Sequence, residues 1–390
     1  MWFATNDGLN KFDGYKFTVY RHNPNDKKSL NCNSVTSLFE DKNGDLWIST
    51  LNGLNRYDRW YDKFIQYNHW PKDNVFAFLE LHNGKFYIAS RLGLYLYRCQ
   101  DSSFHFFSHA GLDTSNLNNN HITNILQDTH DNLWISTLDG LNLMNCASNT
   151  LFRFKNEKSN KNSISDNDTR SLCMDSTGRV WVGTNTSRLN FIKYDRDNPE
   201  HSVFMRYQHD PEKETSISNG AILALLVDQR GYLWIGTDYG GLDILDLNHF
   251  NADDPVFYHY RHDPYNSTSI SSSSIQSIYK DREGNIWIGT YGDGVNVFNP
   301  LAQKFDHYQY EPHNDNSLSN NSVKSFYEDN EQIWIGTEGG LNLFDEKKKT
   351  FSHFIHDPYD NRSLGANTVL SIYKDSRDNL WIGTVGGGLN

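Results

Sequence analysis

The residues that most invite chemistry are histidines set beside carboxylates and amides. Tyr20-Arg21-His22-Asn23-Pro24, Tyr207-Gln208-His209-Asp210-Pro211, Tyr260-Arg261-His262-Asp263-Pro264 and Phe354-Ile355-His356-Asp357-Pro358 share one pattern. An imidazole next to an aspartate suits general acid–base catalysis or a metal site. The repetition argues against both, because a catalytic pair is needed once and a connector is needed in every repeat. The Pro, the Asx residue and the Ser-Leu or Ser-Ile that follows suit the link from an outer strand to the next inner strand. Asp41-Lys42-Asn43-Gly44-Asp45 has the look of a calcium loop, but it lacks Gly at the sixth position and has Asn52 where an acid belongs at the twelfth. The same place recurs as Asp175-Ser176-Thr177-Gly178 and Asp281-Arg282-Glu283-Gly284, so it reads as a turn. The serines Ser271 to Ser274 carry no nucleophile motif, and no glycine-rich phosphate loop is present. Cys32, Cys99, Cys146 and Cys173 are far apart, show no metal spacing and read as mostly buried thiols. These readings give no catalytic residue, no metal and no cofactor.

What must position any site is a repeat. Trp2, Trp47, Trp134, Trp181, Trp234, Trp287, Trp334 and Trp381 each open a stretch such as Trp-Ile-Ser-Thr or Trp-Ile-Gly-Thr, and Tyr87 fills the one missing slot. Neighbouring positions are 45, 40, 47, 47, 53, 53, 47 and 47 residues apart, the period of propeller blades. Each period opens with an alternating run, as in Ser34-Val35-Thr36-Ser37-Leu38-Phe39, which reads as a half-buried strand. An Asp-x-x-Gly turn follows, in which the Asp caps the turn and the Gly supplies positive φ. The Trp strand comes next, then a Gly-bearing turn, a third strand such as Gly53 to Asp58, and an outer strand such as Lys63 to Tyr67 or Lys304 to Tyr308. Four antiparallel strands per repeat make an all-β β-propeller, with each Trp packed between neighbouring blades.

Composition agrees. Hydrophobic residues are 37% of the chain and aromatics 14%, which suits short aromatic strands joined by polar turns. The net charge of -12 and the absence of a Lys/Arg cluster speak against nucleic-acid contact. No run is long and apolar enough for a membrane helix. The first repeat begins at its second strand and the last stops at Gly387-Gly388-Leu389-Asn390, so the chain is expected to be an internal segment of a longer protein, with Met1 internal to it. Seven blades per ring would put a first propeller at residues 1–310 and the opening blades of a second at 311–390; the alternative is a single eight-bladed ring.

The repeat resembles the two-component regulator propeller repeats of hybrid two-component systems, found mostly in Bacteroidetes. The resemblance rests on Trp2-Phe3-Ala4-Thr5-Asn6-Asp7-Gly8-Leu9-Asn10 through Phe17, and on Ser317 to Val323 followed by Ile333 to Asp345. It implies two seven-bladed propellers, an immunoglobulin-like domain, a membrane helix, a histidine kinase, a receiver and a DNA-binding domain. It further implies a periplasmic sensor of glycan breakdown products, dimeric in the full-length protein and tethered to the membrane only through parts outside this segment. This sequence departs from the pattern at Phe86-Tyr87, where Trp is usual, and at Asn185-Thr186-Ser187-Arg188, in place of a Gly-rich turn.

A binding site should lie where repeats differ. The second-to-third turn and the outer-to-inner connector share one face, and its variable residues are Asn52, Arg91, Asp139, Arg188, Asp238, Tyr239, Tyr291, Asp293 and Glu338. Aromatic rings with Arg and carboxylates suit an oligosaccharide. Trp60 and Trp70 fall outside the repeat and are expected to be exposed. Two other classes stay open: a propeller enzyme, either a lyase or a glycoside hydrolase with paired carboxylates, and a protein-interaction propeller, although the Gly-His and Trp-Asp signatures of that class are absent.

Overall fold

The computed structural model describes residues 1–67, 70, 73–98, 101, 103–107, 117–146, 148, 150–186, 188–266, 268–300, 308–329 and 332–390. Among them, strands form nine antiparallel sheets in chain order. Sheets two to six and sheet eight have four strands; the first, seventh and ninth have three. Sheet two shows the pattern: inner strand Val35–Glu40, Trp strand Leu46–Thr50, third strand Gly53–Asp58 and outer strand Lys63–Gln66. The only helix among the described residues is a single 3-10 turn, Pro199–His201. The stretch Lys304 to His307, expected to start an outer strand, lies outside the described residues.

Two compact units divide the chain, Met1–Pro300 and Leu301–Asn390. The first holds seven sheets. Each packs on the next, and the seventh returns to the first, where Phe3 meets Trp287 at 5.6 Å between ring centres. Arg282 of the seventh sheet also reaches Glu40 of the second at 3.1 Å. The second unit holds sheets eight and nine.

One side chain fixes the local geometry of most sheets. In the Asp-x-x-Gly turn of sheet six, Asp228 Oδ1 accepts the backbone N–H groups of Arg230 and Tyr232, at 2.9 and 3.0 Å. Its Oδ2 accepts the indole N–H of Trp234, six residues along, at 3.1 Å. The same three bonds recur from Asp41 to Trp47, Asp128 to Trp134, Asp175 to Trp181, Asp281 to Trp287 and Asp375 to Trp381. A buried indole N–H needs an acceptor, and the turn needs its amides capped, so one carboxylate satisfies both. In sheet three both partners change together: Leu81 stands at the Asp position and Tyr87 at the Trp position, each buried. Replacing both members of a polar pair by groups that pack leaves no orphan behind.

The pinned Trp reaches into the following sheet. Trp47 touches Phe86 and Tyr97, Trp134 touches Tyr194, Trp181 touches Phe250 and Trp234 touches Phe298, with ring centres 5.1 to 5.6 Å apart. Beside the Trp, a small residue seats the first residue of the next inner strand. A Cβ on Gly183 would lie 2.5 Å from Ile222, and one on Gly236 would lie 2.7 Å from Ile275. Trp381 differs from the core position expected for it. It is 41% exposed. Trp60 is 94% exposed, as expected, but Trp70 is buried. Its ring wedges against Tyr95 and Phe104 of sheet three, at 4.5 and 4.9 Å, and fills the seam between sheets two and three. Cys32, Cys146 and Cys173 are free thiols, and of these Cys173 alone is buried; Cys99 lies outside the described residues.

Burial alone would push the Asp175 and Asp228 carboxyls up, but hydrogen bonds from Thr177, Trp181 and Arg179 to the first, and from Tyr232, Arg230 and Trp234 to the second, outweigh it and hold both below the ordinary value of 3.8. Their stabilisation is therefore present above about pH 3.8 and lost as the pH falls below it. Asp228→Ala is expected to cost about 3 kcal/mol in urea denaturation, because the Trp234 indole and two amides lose their acceptor. The gap between wild type and variant should narrow as the pH is lowered through that range. A cost below about 0.5 kcal/mol at neutral pH would contradict the role assigned to Asp228.

Candidate functional site

The two ends of each sheet are built differently. The Asp-x-x-Gly end repeats nearly unchanged. At the opposite end, the second-to-third turn meets the connector, as the pattern of the sequence predicts. The backbone N–H that follows the Trp strand donates to the carbonyl just before the inner strand, from Leu51 to Ser34, Arg91 to Asn74, Leu138 to His121, Asn185 to Asp168, Asp238 to Ala221 and Tyr291 to Ser274, at 2.8 to 3.2 Å. A third-strand Asn completes the frame: Asn55, Asn142, Asn190 and Asn296 accept from the backbone N–H of Asn31, Asn118, Ser165 and Ser271. The connector histidines belong to this frame too. Nδ1 of His22, His209, His262 and His356 faces the carbonyl of the residue eight positions on, at 2.6 to 3.0 Å. One contact made four times is structural, not catalytic. Likewise Asp41 spends both carboxylate oxygens on its own turn and on Trp47. Among the described residues no His, Cys, Asp and Glu group is arranged to hold a metal ion.

The residues read as variable fall at this end but not in one place. The Asn52 carbonyl accepts from Asn31. Asp139 pairs with Lys155 at 2.6 Å. Arg188 turns back into its own sheet and donates to the Ser165 carbonyl at 3.0 Å. Asp238 and Tyr291 come together through Ser274, whose hydroxyl donates to Asp238 at 2.6 Å and whose carbonyl accepts from the Tyr291 backbone. Tyr239 projects beside them from a left-handed residue, with φ at 71°, and Asp293 is exposed on the neighbouring turn. Arg91 lies 3.6 Å from Asp73. Glu338 belongs to the second unit, where Lys324 at 2.8 Å holds its carboxyl below the usual range.

A set of residues that the sequence pattern hid lies on the inner strands. In every complete inner strand the pairing skips one residue after the first: Thr36, Phe76, Thr123, Arg170, Leu223 and Gln276 in the first unit. Each is a β-bulge, which re-aims one side chain out of the pleat. Five residue types occupy the six positions, Thr36 and Thr123 being alike, while the backbone around them stays the same. In sheets three to five these side chains converge with their neighbours. Phe76 stacks on His121 at 5.0 Å and 23°. Thr123 donates to the Thr169 carbonyl at 2.6 Å, bringing sheet four to sheet five. Arg170, next to Thr169, donates from Nη2 to Asp168 at 2.7 Å and forms an ion pair with it. Burial, then the nearby Arg170 and Arg91 charges, push the His121 imidazole below its ordinary range, so it is neutral at neutral pH. The signal available in the sequence was that this position varies between repeats while the third and fourth positions of the run stay small and apolar respectively.

Sheet six carries another departure. Asp243 occupies the place of the framing Asn and is wholly buried. Its oxygens accept from the Ser218 backbone and hydroxyl, both at 2.7 Å. His259 Nδ1 lies 2.6 Å from Asp243, and its Nε2 lies 2.9 Å from the Glu214 carbonyl. This is not a nucleophilic triad. Ser218 and Asp243 share the same ring nitrogen, and the other nitrogen is occupied by a carbonyl, so the imidazole has no free nitrogen to take a serine proton and pass it to a leaving group. Both ring nitrogens face acceptors, which favours the imidazolium.

Seven stretches of the chain, residues 29–52, 116–139, 163–186, 216–239, 269–292, 317–339 and 363–386, match the two component regulator propeller family. Each runs from the connector through the inner and Trp strands to the turn. Sheet three, with Leu81 and Tyr87, has no matching stretch. Over 30 residues the chain is 57% identical to Histidine kinase P4 of Formosa agariphila, covering 8% of this chain and 2% of that protein. The extracellular domain of BT4673 from B. thetaiotaomicron, described both as a one component and as a hybrid two component system, is similar over all of this chain and 55% of its own length. The identity is 25% and the TM-score 0.61. This chain thus spans about half of that domain. PorZ of Porphyromonas gingivalis, a surface component of the type-IX secretion system, is 16% identical over 97% of this chain and 54% of its own, with a TM-score of 0.52, a likeness of fold alone.

The Asp243 bond, offset by burial and helped by the Glu214 carbonyl, raises the His259 imidazole above its ordinary 6.5, with Arg261 opposing. A raised value means the stabilisation is full below about pH 6.5 and is lost as the pH climbs through the folded value above it. Asp243→Asn restores the framing residue of the other sheets and is expected to flatten this part of the pH dependence of the thermal midpoint. Equal slopes above pH 6.5 in wild type and variant would contradict the pairing.

Proposed function

This chain carries two-component regulator propeller repeats, and from that premise we propose that it is the ligand-sensing segment of an extracytoplasmic sensor in a hybrid two-component histidine kinase and response regulator. The observation that supports this reading best is the contrast between the two ends of the sheets. One end is spent on holding the fold, and the other presents different side chains on a repeated frame, as a recognition surface requires. The likeness to a solved extracellular domain supports a location outside the cytoplasm, and we place the segment in the periplasm. No helix of the described residues is long and apolar enough to cross a membrane; in this reading the tether is a part of the parent protein outside this segment.

The ligand in this reading is an oligosaccharide released from a glycan, and the response is induction of polysaccharide-utilisation genes. Aromatic and paired charged groups at the turn end suit a polyhydroxylated ligand. The segment itself is not an enzyme; phosphoryl transfer belongs to the parent. Pairing of two copies is likewise a property of the full-length protein, and nucleic-acid contact belongs to its downstream domain. A ligand can drive such a sensor only by binding one of its states more tightly than the other.

The 390-residue chain, titrated with glycan-derived oligosaccharides in a calorimeter and then analysed by chromatography, is expected to bind at least one of them and return it unchanged. Release of a shorter sugar would make the protein a propeller enzyme instead.

A further inference from the structure

Bulge residues on the first unit fall into two groups. Sheets two, four, six and seven present Thr36, Thr123, Leu223 and Gln276, all uncharged, whereas sheets three and five present the aromatic Phe76 and the charged Arg170. Sheets three to five gather Phe76, His121, Arg91, Asp73, Asp168 and Arg170 into one sector. We infer that this sector is the ligand subsite, and that it takes a neutral pyranose or furanose unit and not a uronate or sulfated sugar. The inference rests on the ligand-sensing reading above and deepens it.

The charges settle the class of ligand. Two guanidinium groups face two carboxylates, Arg170 with Asp168 and Arg91 with Asp73, so the sector is balanced. Asp73 is 1% exposed. An anionic sugar would have to draw Arg91 or Arg170 away from its own carboxylate, leaving a charge poorly paired, and for Asp73 that charge is buried. A neutral sugar makes no such demand. At Arg170 one hydroxyl can accept from the guanidinium while it or its neighbour donates to the partly exposed Asp168 carboxylate. The net charge of -12 also repels polyanions at long range.

Two further observations point to a ligand. Asp73 Oδ1 is buried and accepts no hydrogen bond, although it lies 3.6 Å from Arg91 Nε; its other oxygen accepts from the Leu92 backbone. An acceptor left open beside a 57%-exposed guanidinium is unusual inside a protein. Phe76 is 37% exposed although it is apolar and stacked on a neutral imidazole. Its ring offers a flat surface for the C–H face of a sugar, with hydrogen-bonding groups on either side.

The test uses the 390-residue chain with laminari-, xylo-, manno- and arabino-oligosaccharides and, separately, oligogalacturonate. A neutral sugar is expected to bind, and oligogalacturonate is not. Phe76→Ala and Arg170→Gln should each weaken binding roughly tenfold or more. Trp60→Ala, on the exposed hairpin at the opposite end, should leave it within about twofold. Phe76→Leu keeps an apolar side chain of similar size without the ring and should behave like Phe76→Ala, with thermal midpoints reporting on folding throughout. Neutral binding that survives Phe76→Leu and Arg170→Gln would leave the sensor reading standing and overturn this site. Preferential binding of oligogalacturonate would overturn the ligand class. Binding of no sugar at all would overturn the sensor reading and this inference with it.

Discussion

A carboxylate six residues before a tryptophan carries much of this fold. Its first oxygen closes the turn and its second anchors the indole, so the large ring that must fill the seam between sheets is aimed before it packs. Without that bond the Trp would carry a buried donor into an apolar seam, and the inter-sheet contact would lose through desolvation part of what burial contributes. Sheet three tests the logic by exception. It gives up the carboxylate and the indole together, keeps both positions buried as Leu81 and Tyr87, and still seats itself between its neighbours.

Fixing one end of most sheets frees the other. The turn end has its own backbone frame, made of a carbonyl before each inner strand and, in sheets two, four, five and seven, an Asn on the third strand, and neither depends on the bulge side chain between them. That side chain can therefore vary from sheet to sheet at little cost to the fold. The result is a row of equivalent positions whose chemistry varies, with the aromatic member, Phe76, in sheet three and the charged member, Arg170, in sheet five. Sheet six shows how far the frame itself can drift: an Asn becomes Asp243, and His259 and Ser218 move in to satisfy the buried carboxylate.

Most of the architecture was legible in the sequence because it repeats. The Trp positions gave the number of sheets, the Asp-x-x-Gly runs gave the first turn, and the His-Asx-Pro segments were rightly read as connectors. What escaped had specific causes. The bond from Asp to Trp was hidden because a turn already accounts for an Asp, and nothing in the spacing demands a second role. Bulges were hidden because Val-Thr-Ser-Leu and Thr-Arg-Ser-Leu look like plain alternation, so Phe76 and Arg170 passed as strand residues. Trp70 was misjudged because it has no counterpart in other repeats, and its burial depends on the short connector between sheets two and three. Arg188 was expected among the variable loop residues, yet pairing with the outer strand draws it into the sheet.

The central claim is that one end of the sheets holds the fold and the other meets the ligand. Hydrogen–deuterium exchange of the 390-residue chain with and without a bound neutral oligosaccharide tests it directly. Protection is expected in the segments around residues 73–76, 91, 121 and 168–170, with the Asp-x-x-Gly turns at 41–45, 175–179 and 228–232 unchanged. Protection confined to those turns would contradict the account.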